Sequence, residues 1–204
     1  MDPQRDARPQ TSPRWFLAFF VLLALGATLG TALDGIHTHF GATVYSHPLR
    51  FFRMAWWTPP VFGLAFTIGL ARPLLDVALK RRTGVQKPPP RLLAVLNSLA
   101  LFVVAYFTTV LPLPWPLVSL LLLLLYAVNF GLFDRSAIGL FIAVCAAFGG
   151  PLVEFLLVEA GTFVHVHPVF LDVSGWLPFL YLNSAVPLTL IARFLVRAEA
   201  TSAA

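Results

Sequence analysis

The sequence predicts an all-α integral membrane protein with six transmembrane helices and both termini in the cytoplasm. Three observations carry that prediction. Of 204 residues, 58% are hydrophobic and only 11% are charged, whereas a soluble domain is nearer half apolar and a quarter charged. Six apolar stretches approach the ~20 residues that a bilayer core of about 30 Å requires. No segment alternates between apolar and polar residues as a barrel strand would, so the spans are helices, whose backbone groups are satisfied internally.

The spans fall at residues 15–33, 54–79, 92–110, 117–133, 137–159 and 176–196, with a tail at 1–14 and another at 197–204. Arg5, Arg8 and Arg14 precede the first span as they would a signal peptide, but its apolar run exceeds the 7 to 15 residues typical of a signal core, so it reads as a retained helix. Gly26 and Gly30 form a GxxxG pattern there, which is either a helix-packing seam or two unrelated small residues. The second span holds Arg72 and Asp76, which at i, i+4 form a local ion pair. The fourth is the shortest. Between the second and third, KRRTGVQKPPPR (80–91) is held extended by its prolines. The fifth carries Gly149, Gly150 and Pro151, which permit a kink and close approach of neighbours.

Charge fixes the orientation. With the N-terminus inside, Arg5, Arg8, Arg14, Lys80, Arg81, Arg82, Lys87, Arg91, Arg135, Arg193 and Arg197 face the cytoplasm, while Arg50 and Arg53 face out. That asymmetry accounts for the net charge of +5 through the positive-inside rule, not through a nucleic-acid partner. Arginine far outnumbers lysine, which suits a GC-rich bacterial genome, so a bacterial plasma membrane is expected. The single cysteine, Cys145, allows no intrachain disulfide and no cysteine-based metal site.

Few residues suggest chemistry. All five histidines fall in outer loops: His37, His39 and His47 in the first, His165 and His167 in the third. With Asp34, Glu159 and Asp172 they could assemble a divalent metal site, or simply face water. Glu154 lies in the outer half of the fifth helix, where an ionisable residue defaults to a functional hypothesis. It is either a carboxyl facing a cavity, able to accept a ligand hydroxyl, or a buried side chain satisfied by a neighbouring Asn or Thr. Asn97, Asn129 and Asn183 read as helix-packing polar groups, and the five tryptophans as interfacial anchors at span ends. No nucleophile elbow, phosphate-cradling glycine loop or helical HExxH occurs, so neither an enzyme nor a cofactor is expected.

Three segments together resemble the Insig family of membrane proteins. They are Ala55-Trp-Trp-Thr-Pro-Pro60 with Gly63, Pro73 and Asp76; Phe133-Asp-Arg-Ser136 with Gly139; and Ser174-Gly-Trp-Leu-Pro178. The resemblance implies a non-catalytic protein whose helices surround a lipid cavity. Its eukaryotic members handle hydroxylated sterols and hold sterol-sensing-domain partners in the endoplasmic reticulum. It further implies that Phe102 lines the lipid site and that Asp134, with Arg135 and Ser136, serves partner binding or the conformation that permits it. From the residues alone, Asp134 or Ser136 would cap the fifth helix. The chain departs from the family at Leu117, where a polar amide is usual, and at Ala137 and Ile138, so a general neutral-lipid site fits better than a sterol switch.

The expected function is therefore lipid binding or sensing in a cavity for a sterol or diacylglycerol-like lipid. Its tails would lie against Phe102, Trp57 and Phe62, with its polar end near Glu154. A membrane-protein partner and a homo-oligomer are both compatible with this. The alternative is an intramembrane metal-dependent hydrolase or small transporter using the outer histidines and Glu154.

Overall fold

A computed structural model of the protein describes residues 13–49, 53–83 and 88–197. Arg5, Arg8, Arg50, Lys87 and the tail beyond Arg197 lie outside the described residues, as does the middle of the proline-rich loop. Six helical segments are long and apolar enough to cross a membrane: Arg14–His39, Thr58–Leu79, Leu92–Thr109, Trp115–Phe133, Ala137–Glu159 and Leu177–Val196. Outward faces carry Phe16, Leu93, Phe141 and Phe148, all exposed, as expected where hydrocarbon is the solvent.

The first span is α1 (Pro13–Leu25), a wide π turn (Gly26–Gly30) and α2 (Thr31–His39). It runs past the expected end at residue 33 because Asp34, His37 and Thr38, which read as loop residues, are buried against the bundle. The second span is α3 (Thr58–Phe66), a 3₁₀ turn (Thr67–Leu70) and α4 (Ala71–Thr83). It starts at Thr58 rather than 54, where Pro59 and Pro60 occupy the first turn without loss of a needed hydrogen bond. At its other end α4 continues to Thr83, so the start of the proline-rich loop is helical, not extended.

The remaining spans are α5 (Leu92–Thr109), α6 (Trp115–Phe133), α7 (Ala137–Glu159) and α8 (Leu177–Arg197). The sixth span is the central one, with 61% of its apolar window buried against 22–39% for the others. The glycine pattern of the first span is a packing seam. A Cβ at Gly26 would strike the Phe62 carbonyl, and one at Gly63 would lie 2.9 Å from the Leu23 carbonyl oxygen, so the first two spans touch backbone to backbone. Two of the three membrane asparagines bridge helices: Asn129 Nδ2 donates to the Ser98 carbonyl at 3.3 Å and Asn183 Nδ2 to that of Leu122 at 2.9 Å. Asn97 instead sits on the exposed surface.

Four short strands, none expected, cover one end of the bundle. β1 (Thr43–Tyr45) pairs antiparallel with β2 (Phe163–His165), and β3 (Pro168–Phe170) with β4 (Val173–Ser174). Thr43 faces His165 and Tyr45 faces Phe163 in register, so the loop after the first span is tied to the loop after the fifth. The alternation of a strand turns Tyr45, Phe163 and His165 inward while Val44 and Val164 face out. This end is the strand end; the opposite one, where α1 begins and α8 ends, is the terminal end.

Candidate functional site

A cavity of about 320 Å³ opens between the helices below the strands. Trp57, Phe62, Phe102 and Glu154, the four residues expected to surround a lipid, all line it. Several wall residues are also exposed on the outer surface of the bundle: Ala65 and Ile68 from the second span, and Cys145, Gly149 and Val153 from the fifth. The cavity therefore opens sideways between these two spans, toward the hydrocarbon.

Its polar groups gather at the strand end in two clusters. In one, Glu154 accepts a hydrogen bond from the Tyr181 hydroxyl at 2.7 Å on Oε1, while His165 Nε2 lies 3.0 Å from Oε2. His165 Nδ1 in turn lies 3.1 Å from the Ser174 hydroxyl. Glu154 thus faces the cavity, but its partners are Tyr and His, not the Asn or Thr expected of a purely packed carboxyl. Tyr181 reaches it because Gly150 makes room: a Cβ there would overlap the Tyr181 ring. In the other cluster, Asp34 Oδ2 accepts from the Tyr45 hydroxyl at 2.7 Å, and Oδ1 lies 3.5 Å from His37 Nδ1. Burial, reinforced by the Asp34 carboxylate, pushes the Tyr45 phenol well above its ordinary range. Tyr45 therefore remains a donor at any physiological pH.

Tyr106 sits within the electrostatic reach of both carboxyls. Its ring stacks on His37 with centroids 5.1 Å apart and meets Phe102 edge-on at 5.2 Å. Sequence reasoning passed over Tyr45, Tyr106 and Tyr181. A signal was available for the last two, since a phenol inside an apolar span needs a polar partner or a polar cavity.

The histidines neither cluster together nor all face water. His37 lies in the last turn of α2 and His165 belongs to β2, both buried, while His39, His47 and His167 are not. The two buried rings go to separate carboxyls. Among the described residues no group of three or more His, Cys, Asp or Glu side chains could hold a metal ion.

At the terminal end, the expected Arg72–Asp76 pair is part of a larger buried network. Arg72 Nη1 donates to both Asp134 oxygens, at 2.9 and 2.8 Å, and Nε to Asp76 Oδ1 at 3.1 Å. Arg193 Nε lies 3.5 Å from Asp76 Oδ2. The Asp134 side chain is 1% exposed, so no partner can reach it directly in this conformation. Ser136, not Asp134, caps α7: its hydroxyl accepts the Gly139 amide at 3.0 Å while donating to Asp134 at 2.5 Å. Arg135 takes a left-handed backbone (φ 51°) and its Nε bonds the Gly131 carbonyl.

Residues 17–195 match the family model described as Insulin-induced protein (INSIG). The chain belongs to the Insig family. It is 29% identical over 179 residues to Insulin-induced gene 1 protein of Bos taurus and of Homo sapiens, with 85% of this chain and 63% of each relative covered. It therefore spans under two thirds of those relatives' length. The structure is similar to that of MvINS, a mycobacterial Insig homologue from Mycobacterium vanbaalenii, with a TM-score of 0.74 and 26% identity over 90% of this chain and 96% of that one. A cross-linked trimer of MvINS superposes with a TM-score of 0.77 and 25% identity over the same shares. The helical fold is thus shared.

Proposed function

We propose that this Insig-family protein is a non-enzymatic lipid receptor of a bacterial plasma membrane, with both termini cytoplasmic. Its cavity takes one amphiphilic neutral lipid, a sterol or a diacylglycerol. The observation that carries this is the division of the cavity into an aromatic and aliphatic body and a polar head. Trp57, Phe62 and Phe102 line the body, which opens toward the hydrocarbon, and the head presents two carboxyls and three phenols. A mostly apolar pocket needs only a few placed polar groups to orient such a ligand. A carboxylate has about four lone-pair sites, so Glu154, bonded by Tyr181 and His165, still has capacity to accept a ligand hydroxyl.

The buried Arg72–Asp134 pair supports a conformational role for Asp134, Arg135 and Ser136: they hold the α6–α7 turn against the second span, and a membrane-protein partner would read that arrangement. The cross-linked trimer of the homologue supports self-association.

Mass spectrometry of lipids carried by the gently purified protein tests the reading. The expected result is a neutral lipid enriched over bulk phospholipid, and depleted in Phe102→Ala and Glu154→Gln. Bulk phospholipid alone, unchanged in both variants, would refute it.

A further inference from the structure

A second cavity of about 550 Å³ lies at the strand end, bounded by Thr109, Trp115, His167, Ser174 and Trp176. It shares no lining residue with the lipid cavity. Two strings of side chains cross the wall between them. One runs Asp34, His37, Thr109; the other runs Glu154, His165, Ser174.

The two strings differ in what they can pass. The Thr109 hydroxyl donates its proton to the Tyr106 carbonyl at 2.6 Å, so His37 Nε2, 2.8 Å from that oxygen, must donate to it. On the ring's other side Nδ1 is 3.5 Å from Asp34, beyond a normal hydrogen bond. This string is a dead end. The Ser174 hydroxyl has no other hydrogen-bond partner among the described residues, and both His165 nitrogens lie within hydrogen-bond distance of their neighbours.

The geometry points to a one-sided proton path, in which Glu154 exchanges its proton with the solution at the strand end through Ser174 and His165. In the inward step a hydronium in the second cavity gives a proton to Ser174 Oγ and becomes water. The Ser174 O–H proton passes to His165 Nδ1, and the Nε2 proton passes to Glu154 Oε2. One proton enters, one arrives, and His165 ends neutral as it began, with its tautomer reversed.

Glu154 is faced by Tyr181 of α8 and His165 of β2, and its charge also reaches Tyr45 of β1 and Tyr106 of α5, which feel the Asp34 carboxylate of α2 as well. His165 is faced by Glu154, Ser174 and the Phe163 ring. Among the described residues no Lys or Arg lines the cavity. Once protonated, Glu154 commits its new O–H to His165 and ceases to be a charge-assisted acceptor. On the reading of this cavity as a lipid site, acid at the strand end therefore releases a hydroxyl-bearing lipid.

Infrared difference spectroscopy of the full chain in oriented phosphatidylcholine vesicles tests the path without any added lipid ligand. Acid on the strand side should produce a carboxylic-acid C=O band that is absent in Glu154→Gln. Ser174→Ala should reach the same end point about a hundredfold more slowly, and Ser174→Thr, which keeps a hydroxyl, should restore the rate. The same end point in the unsubstituted protein and both Ser174 variants also reports an intact cavity. Equal rates from both sides, an unslowed Ser174→Ala, or no Glu154 band would overturn the path. Retention of dioleoylglycerol, measured in parallel, separates the two proposals: no retention at any pH refutes the lipid reading and leaves the proton path standing.

Discussion

At the terminal end two arginines and two aspartates meet, each charge matched, with Arg72 and Asp134 side chains 1% exposed. At the strand end two carboxyls meet histidines and phenols along the edge of open space. Both ends bury ionisable groups inside a membrane bundle, where each costs several kcal/mol unless satisfied. The contrast lies in what completes the satisfaction. The terminal network matches its charges within the protein, leaving Arg72 Nη2 buried without a hydrogen-bond partner, and joins the second span, the α6–α7 turn and α8 into one block. The strand-end clusters retain hydrogen-bonding capacity toward the cavity. One end holds the helices together, and the other borders open space between them.

Substitutions should break this contrast at one end without touching the other. The largest effect belongs to Arg72→Met, which leaves Asp134 and Asp76 buried without their shared partner. A loss of about 3–5 kcal/mol is expected from removing one member of a buried pair, read as unfolding in detergent, with lipid content falling only through lost protein. Next comes Gly150→Val, whose branched side chain meets the Tyr181 ring. Overpacking of this kind costs about 1–3 kcal/mol, and the loss of the Tyr181–Glu154 bond should show in lipid retention. Gly149→Ala is its control, since a Cβ there meets nothing within 4 Å.

Ser136→Ala should cost about 1 kcal/mol, the usual worth of an N-cap hydroxyl, measured as a lowered melting temperature with lipid retention intact. The smallest change in stability is expected for Glu154→Gln, within about 0.5 kcal/mol because the amide replaces a half-buried group beside a cavity. Its effect should instead be a fall in lipid retention of tenfold or more, since a hydrogen bond to a charged group is worth about 1.5–3 kcal/mol. A Glu154→Gln protein as unstable as Arg72→Met would erase the distinction between the two ends.

The spans were legible because hydrocarbon demands length and apolarity, and both are local properties of a sequence. Residues 137–159 were read to the residue, since Ser136 gives a local capping signal and Glu159 ends the apolar run. The first span was read short because Asp34, His37 and Thr38 are polar yet face inward, and only their neighbours from distant segments explain them. The same reason hid the head of the cavity. Phe102 could be placed by resemblance and Glu154 by its charge inside a span, with Trp57 and Phe62 expected beside them, but Tyr45 enters the site through a strand whose partner lies far along the chain. Likewise the Arg72–Asp76 spacing announced an i, i+4 pair, while the bidentate bond from Arg72 to Asp134 is a tertiary fact with no local signature. The two buried histidines were misplaced by an assumption that loops at a membrane surface face water; the β1–β2 ladder takes His165 inward, and the extra turns of α2 take His37 against Tyr106 and Trp176.

That ladder has a consequence for how the molecule is made. Ser46 donates to the Gly161 carbonyl across 115 residues of sequence, and β1 can find β2 only after the fifth span has left the ribosome. Chains emerge at about 5–20 residues per second, and contacts so distant in sequence form late. For several seconds of synthesis Asp34 and Tyr45 wait at the membrane surface without Glu154, Tyr181 or His165 opposite them. The bundle therefore matures from the terminal side of its first helices toward the strands, and the chamber at the strand end is the last part of the protein to exist.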